Sequence, residues 1–328
     1  MKTNPLVSIV ALNYNNANYV ISTLESIAHQ DYDNYELIIV DDYSTDDSLR
    51  IIKEWIPTQS LVVNLVAHGK NLGVCAACNS GIRKSSGKYV SLIATDDIMM
   101  PCKTRIQVEA LEISSENVCA VFSDMTVINE QNVITEKSYF DLLSISYDFI
   151  NNVLNRSSTD QLTFLVEKNI LPAPAIMYKK EVIIKLGGWD EKIYFEDLDM
   201  NLRLIHSGYS FIYLSDKLVK YRMMSNSLTR RPNPLYWETF LTVIYKYYGI
   251  SKELDNSINN KIQNYSHLIF QLSGKESSIW LKRSLINHLS LKSIIYLICS
   301  SLRIRYKYSI FVKTQFLNTL KRVKHIVL

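Results

Sequence analysis

The sequence predicts an α/β fold, a mostly parallel β-sheet flanked by helices, followed by a C-terminal helical, basic extension. Three observations predict it. Short apolar runs, of the kind that fill strands buried on both faces, alternate with amphipathic stretches of roughly 10–15 residues, the pattern of parallel strands joined by crossover helices. Two of the apolar runs end abruptly in paired carboxylates, Asp41-Asp42 and Asp96-Asp97. Residues 277–328 carry ten Lys/Arg and no Asp or Glu; the chain totals +4, which leaves 4 − 10 = −6 for residues 1–276.

The elements follow in order. Leu6 to Leu12 is a buried-strand pattern, and Asn13-Tyr14-Asn15-Asn16 suits a turn and a helix cap. Val20, Ile21, Leu24, Ile27 and Ala28 fall at helical spacing; Tyr35 to Val40 is the second strand and runs into Asp41-Asp42. Ser44-Thr45-Asp46-Asp47 opens a helix whose apolar positions are Leu49, Ile51, Ile52 and Trp55. A third strand spans Leu61 to Ala67, a helix Asn71 to Ser85 closed by Gly87, and a fourth strand Lys88 to Ala94, ending in Thr95-Asp96-Asp97. Pro101 starts a helix reaching about Ser114, and Val118 to Ser123 is a fifth strand. Met125 to Ser158 is polar and rich in Tyr and Asn; it gives no firm element and suits a flap or an acceptor-recognition segment. Leu171 to Met177 reads as a strand behind a proline-stiffened approach, Lys180 to Leu186 as a short helix ended by Gly187-Gly188, and Tyr209 to Leu214 as a further strand. Helices are expected over Trp237–Tyr248, Leu254–Leu272, Ile279–Leu289 and from Leu291 onward, which divides the chain into domains 1–230 and 231–328.

Composition narrows the class. With 328 residues, 47% hydrophobic and 21% charged, the chain is globular. Five cysteines make no disulfide framework and suit a reducing cytosol. Cys75 and Cys78 form a lone C-x-x-C, better explained as small apolar side chains than as half of a zinc site. No secretory signal pattern is expected, and no apolar run reaches the ~20 residues that span a bilayer. There is no G-x-G-x-x-G after the first strand and no P-loop, which argues against a dinucleotide-binding dehydrogenase and a P-loop NTPase.

The paired carboxylates carry the chemistry. Adjacent acids are expensive to bury without a cation or many donors, and ligands in open α/β sheets sit beyond the carboxyl ends of strands. One Asp-Asp is ordinarily a cap or a solvated turn. Two pairs on the same sheet edge make a crevice site, and hard oxygen ligands favour Mg or Mn.

Val7-Ser-Ile-Val, Asn13-Tyr-Asn, Val40-Asp-Asp-Tyr-Ser-Thr-Asp46, Asn71-Leu-Gly, Asn79-Ser-Gly-Ile and Thr95-Asp-Asp97, in this order, resemble a family-2 glycosyltransferase of the GT-A fold, of the bacterial surface-polysaccharide type, over residues 5–230. The resemblance implies a donor site in which Asp42 accepts the uracil N3–H, Tyr14 lies against the base, Asp97 ligates a Mn or Mg ion on the diphosphate, Asp96 holds ribose or the donor sugar, and Asn79 stands nearby. An acceptor-only carboxylate is the right group for an imide donor. Gly188-Trp189-Asp190 and Phe195-Glu196-Asp197 are similar to the family's Gly-Trp-Asp-Glu and Glu-Asp motifs. They imply Asp197 as general base, Glu196 as its orienting or acceptor-binding neighbour, and Trp189 and Asp190 as acceptor-binding, the indole offering a face for sugars. Tyr221-Arg222 stands where many relatives have His-Arg or Tyr-Arg; Tyr221 replaces the His that completes the metal shell in some relatives, which implies lower metal affinity, and Arg222 is expected to help neutralise phosphate. Cys78 replaces an Arg common in relatives, which puts one donor contact in doubt.

The implied activity is inverting transfer from a UDP-sugar to a hydroxyl of a saccharide acceptor linked to polyprenyl diphosphate, in O-antigen or capsule assembly. Two alternatives are a sugar-phosphate nucleotidyltransferase, whose Gly-rich, basic first loop Asn13–Asn16 does not resemble, and a non-catalytic sugar-nucleotide or glycan-binding membrane module. The tail from Lys282 mixes Lys/Arg with Leu, Ile, Tyr and Phe, as basic amphipathic helices on anionic membranes do. The expected location is therefore cytoplasmic, peripheral on the inner face of the cell membrane, with homodimer formation as the other use of the tail. No nucleic-acid motif accompanies the charge.

Overall fold

The computed structural model describes residues 4–224, 234–273, 278–287, 294 and 297–298. The chain divides into two compact units, Met1–Ser227 and Leu228–Leu328.

The first unit is built on a nine-stranded sheet. Its strands are β1 (Val7–Asn13), β2 (Tyr35–Asp41), β3 (Val63–Ala67), β4 (Tyr89–Ala94), β5 (Ile98–Met99), β6 (Val118–Ile128), β7 (Ile134–Glu136), β8 (Ile176–Lys179) and β9 (Ser210–Arg222). Between them lie α1 (Val20–Ala28), α2 (Ser48–Trp55), α3 (Val74–Lys84), α4 (Lys103–Glu112), α5 (Tyr139–Leu142), α6 (Tyr147–Leu154), α7 (Ser158–Glu167), α8 (Lys180–Lys185) and α9 (Glu196–His206). The strand order is β3-β2-β1-β4-β8-β6-β9-β5, with β7 paired to β6. The half from β3 to β4 is parallel, as the apolar runs predict. The other half is mixed, because β8 enters antiparallel to both β4 and β6 while β9 runs parallel to β6.

Helices cover both faces of β1, β2 and β4, so their side chains are buried almost without exception. Ile9, Leu24, Ile27, Leu37, Ile39, Ile52, Trp55, Tyr89, Val121 and Met177 join in one core, each large aliphatic contributing about 1.5–3 kcal/mol by leaving water. Helix α3 comes very close to the sheet: a Cβ on Gly81 would meet Val10 Cγ1 at 2.3 Å. The register sets Asn13 beside Asp41 and Leu12 beside Ala94, so the ends of β1, β2 and β4 are level. That edge receives both Asp-Asp pairs.

Three expectations are corrected. Strand β6 continues five residues past Ser123, so Met125 to Ile128 belongs to the sheet and not to a polar flap. Asp124 is tolerated there because its Oδ1 accepts the backbone N–H of Met125, Tyr139 and Phe140. Strand β8 starts only at Ile176, since Ala173–Ala175 after Pro172 forms a 3₁₀ turn. Strand β9 does not stop at Leu214; shifts in its register with β6 carry it on to Arg222. The remainder of 125–158 holds α5, α6 and the approach to α7, each started by a serine, Ser138, Ser146 and Ser157, whose Oγ accepts the backbone N–H three residues on.

In the second unit α10 (Pro234–Tyr245), α11 (Lys252–Ser273) and α12 (Ser278–Asn287) pack through aromatics, with Trp237 stacked on Tyr265 at 4.4 Å. Arg283 lies over the rings of Tyr245 and Trp280, at 4.0 and 4.8 Å. The basic tail beyond Asn287 lies outside the described residues except at 294, 297 and 298. Among the described residues no helix is long and apolar enough to cross a membrane.

Candidate active site

The level ends of β1, β2 and β4 are stitched together by polar side chains. Asn13, at the end of β1, donates to Asp41 Oδ1 (2.6 Å) and Ser44 Oγ (3.0 Å) and accepts from Thr95 Oγ (2.6 Å), while Asn16 donates to the same threonine (3.0 Å). Asp41 Oδ2 also accepts the Ser44 N–H. The asparagines thus serve the turn, as expected, but α1 has no side-chain cap. Tyr14, just past β1, is 48% exposed and free to present its ring.

Asp42 is 5% exposed. Its Oδ1 accepts from His68 Nδ1 (2.7 Å) and Leu72 N–H (2.8 Å), and its Oδ2 from Gly73 N–H (2.8 Å). The residue expected to read a base therefore also fastens the loop between β3 and α3. His68 is a site residue that sequence reasoning missed; nothing in its local pattern signals the contact, which spans 26 positions.

The second acidic pair is placed differently. Asp97 is 2% exposed, and its Oδ1 accepts the Arg222 N–H at 2.8 Å. Burial, then the charge of Asp96 beside it, push the Asp97 carboxyl well above its usual range; burial raises Asp96 too, against the pull of Arg222. The Arg222 side chain backs this turn: Nε donates to the Asp96 carbonyl (2.7 Å), Nη1 to the Asn129 carbonyl (2.9 Å), and the guanidinium stacks 4.5 Å from the Tyr19 ring centre. A polar recess of about 240 Å³ opens alongside, lined by Asn15, Asn16, Tyr19, Asp46, Glu130 and Met224. A concavity of about 410 Å³ at the amino end of β4 holds none of the expected site residues.

Two adjacent acceptor-only carboxylates, with Asp97 Oδ2 unclaimed by a protein donor, fit a hard divalent ion. Among the described residues no set of three or more His, Cys, Asp or Glu converges on one point, so water and substrate oxygens would complete such a shell.

The third acidic group opens α9. Asp197 accepts from Asn169 Nδ2 (2.8 Å) and from Leu198 N–H (2.6 Å). Burial, then the charge of Asp197, push the Glu196 carboxyl up to about 8, and burial raises Asp197 against those two hydrogen bonds. Glu196, at about 8, therefore holds its proton at neutral pH. Both acidic groups act on one ring: the Tyr221 hydroxyl is raised by burial and then by Asp97, Tyr139, Asp96 and Asp197. Asp96, Asp97 and Asp197 thus lie within electrostatic reach of the Tyr221 hydroxyl.

Trp189 is not a platform for sugars. It is 4% exposed, its Nε1 donates to the Glu196 carbonyl (3.0 Å), and its ring packs edge-on against Tyr178, because the indole anchors the start of α9. Asp190 is half-buried and accepts the Lys192 N–H in a turn. Asn79, on α3, clasps this loop: its Oδ1 accepts Trp189 N–H (2.9 Å) and its Nδ2 donates to the Trp189 carbonyl and to Glu191 (both 2.9 Å). Gly188, at φ +74°, leaves room for that amide, since a Cβ there would stand 2.6 Å from Asn79 Oδ1. Cys75 and Cys78 are buried free thiols on α3.

The profile of glycosyl transferase family 2 matches residues 8–187. Glycosyltransferase GlyG of Streptococcus pneumoniae serotype 4 is 27% identical over 247 residues, 73% of this chain and 78% of the relative. TuaG of Bacillus subtilis, a glycosyltransferase whose name assigns it to teichuronic acid biosynthesis, is 25% identical over 229 residues, 69% and 82% of the two chains. Among solved structures, a mannosyltransferase of Pyrobaculum calidifontis in complex with GDP-Man and Mn2+ superposes with a TM-score of 0.58 at 17% identity, covering 93% of this chain and 88% of that one. Staphylococcus aureus TarS (residues 1–349) in complex with UDP gives 0.54 at 14% identity, covering 90% of each.

Proposed function

Because this chain belongs to glycosyl transferase family 2, we propose that it is an inverting enzyme that moves a hexosyl or N-acetylhexosaminyl group from a UDP-sugar to a saccharide hydroxyl. One observation carries this reading: the Tyr221 hydroxyl lies under the electrostatic influence of both Asp97 and Asp197, as one site with a charge-accepting end and a proton-accepting end requires.

Asp197 takes the proton from the acceptor hydroxyl as that oxygen bonds to the sugar's anomeric carbon. The bond from that carbon to the diphosphate breaks on the opposite face, and UDP departs with the electron pair. A single displacement needs one base and forms no covalent enzyme intermediate. Asn169 and Leu198 hold the Asp197 carboxylate, and protonated Glu196 keeps a second negative charge away from it. Asp97, with Asp96, would hold a Mn or Mg ion, which when bound offsets charge on the departing diphosphate. Arg222 fixes the turn that presents both carboxylates, and Asp42 and Tyr14 face the base. TuaG's name supports surface polysaccharide as the setting. The basic stretch 277–328 supports docking on an anionic membrane face and a lipid-linked acceptor.

The test is a thermal-shift titration with UDP, GDP and CDP, with and without Mn, on wild type and Asp97→Asn. Selective stabilisation by UDP with Mn, about 2.7 kcal/mol at 100 times Kd, and its loss in the variant is the expected result. A preference for GDP or CDP would overturn the donor class and leave the fold untouched. No response to any nucleotide would favour the non-catalytic module.

A further inference from the structure

Asp42 also ends a hydrogen-bonded relay that runs inward from the exposed Arg83. Arg83 Nη2 donates to Ser80 Oγ (2.8 Å), Ser80 Oγ lies 2.9 Å from His68 Nε2, and His68 Nδ1 lies 2.7 Å from Asp42 Oδ1. The His68 and Asp42 side chains are 7% and 6% exposed. A carboxylate only accepts, so Nδ1 carries the hydrogen that it donates to Asp42. Arg83 occupies the accepting side of the Ser80 hydroxyl, which turns the Ser80 hydrogen toward His68 Nε2. The two ends of the relay thus fix a single tautomer of His68.

The consequence is a count. A carboxylate offers about four lone-pair positions, two on each oxygen. On Asp42 the two of Oδ1 are taken by His68 Nδ1–H and Leu72 N–H, and one of Oδ2 by Gly73 N–H. One acceptor position remains, on Oδ2. Uracil carries a single imide N–H between two carbonyls and asks for one acceptor. The corresponding edge of guanine carries N1–H and the N2 amino group side by side and is best met by both oxygens of a free carboxylate.

We propose that His68 sets the nucleobase preference of the donor site: by occupying Asp42 Oδ1 it leaves one acceptor position, which suits uracil and disfavours guanine. This rests on Asp42 as the base-facing residue. His68 is a specificity-determining residue that acts through Asp42 and need not touch the nucleotide, and Ser80 and Arg83 are its positioning partners.

The experiment is isothermal titration of the full chain with UDP and with GDP, in the presence of Mn, on wild type, His68→Leu, His68→Asn, Ser80→Ala and Asp42→Asn. Leucine removes the donor to Asp42. Asparagine keeps an amide N–H near the Nδ1 position and drops the link to Ser80. The expected result is a wild-type preference for UDP that falls about tenfold in His68→Leu, as one charge-assisted hydrogen bond is worth, and is largely kept in His68→Asn. Ser80→Ala, which frees the tautomer and disturbs packing least, shifts the ratio in the same direction by less. It decides the matter should His68→Leu fail to fold. An unchanged UDP to GDP ratio in folded His68→Leu and in Ser80→Ala would overturn the inference while leaving Asp42 at the base, provided Asp42→Asn weakens UDP. If Asp42→Asn leaves UDP affinity intact, the base-facing reading fails first and takes the inference with it. A wild-type preference for GDP also overturns it.

Discussion

Two Asp-Asp pairs close the two strands that flank β1, and the protein treats them in opposite ways. Asp41 and Asp42, after β2, are supplied with five donors: Asn13 Nδ2, Ser44 N–H, His68 Nδ1–H, Leu72 N–H and Gly73 N–H. Of the pair after β4, Asp97 is as buried and Asp96 is half-buried, yet from elsewhere in the chain their carboxylates receive the Arg222 N–H alone among the described residues. The first pair is satisfied by hydrogen bonding and works as architecture, and in the proposed reading Asp42 offers one acceptor to the base. The second is left short of partners and is pushed toward protonation. The sequence signature is the same, and the chemistry is decided by how many donors arrive from elsewhere in the chain.

The contrast can be broken at four places. The largest effect belongs to Asp197, the proposed base. Asp197→Asn should lower kcat by about 10²–10⁴-fold with UDP affinity unchanged, measured by steady-state kinetics beside nucleotide titration. An equal fall in affinity would show a binding role in its place.

Next comes the starved pair. Asp97→Asn should abolish the Mn-dependent part of nucleotide stabilisation, about 2.7 kcal/mol at 100 times Kd. The unliganded protein should melt no lower than wild type, because the substitution removes one of two crowded charges. Calorimetry without ligand checks the second half, and a clear drop in Tm would mean that Asp97 is structurally satisfied after all.

The donor-rich pair should behave in the opposite sense. Asp41→Ala strands Asn13 Nδ2 and the Ser44 N–H, and should cost about 1–3 kcal/mol of folding free energy, read from urea melts. A loss under half a kcal/mol would put the stitching of β1 to β2 elsewhere.

The last place is the pH dependence of Glu196. Its carboxyl stands at about 8 in the folded chain against an ordinary 4.5. Between those values the folded state holds the extra proton, so stability falls as pH rises through the window. Glu196→Gln should flatten that slope, seen as Tm against pH, and an unchanged slope would place the titrating group elsewhere.

The same contrast explains what could be read in advance. Strands β1, β2 and β4 were legible because burial on both faces leaves only apolar residues in them, and the Asp pairs were legible as interruptions of that rule. Strand β6 was lost at Ser123-Asp124, where the rule fails for a reason invisible locally: the donors to Asp124 come from Tyr139 and Phe140. The serines that start α5, α6 and α7 were a readable signal, but the polar, Tyr- and Asn-rich composition of the segment masked it. Trp189 was taken for a surface because its motif neighbours are polar; its burial depends on Tyr178, on another strand. His68 carried no pattern at all.

The Asn79 clasp has a consequence for how the two ends of the site are coupled. One amide ties α3, which borders the Asp42 loop, to the loop that leads into Asp197. A ligand that shifts one end of such a tie does work on the other, and linkage makes the exchange symmetric: whatever factor the nucleotide applies to acceptor affinity, the acceptor returns to nucleotide affinity. Loosening that tie, by replacing Asn79, would uncouple the two loops without removing a carboxylate from either.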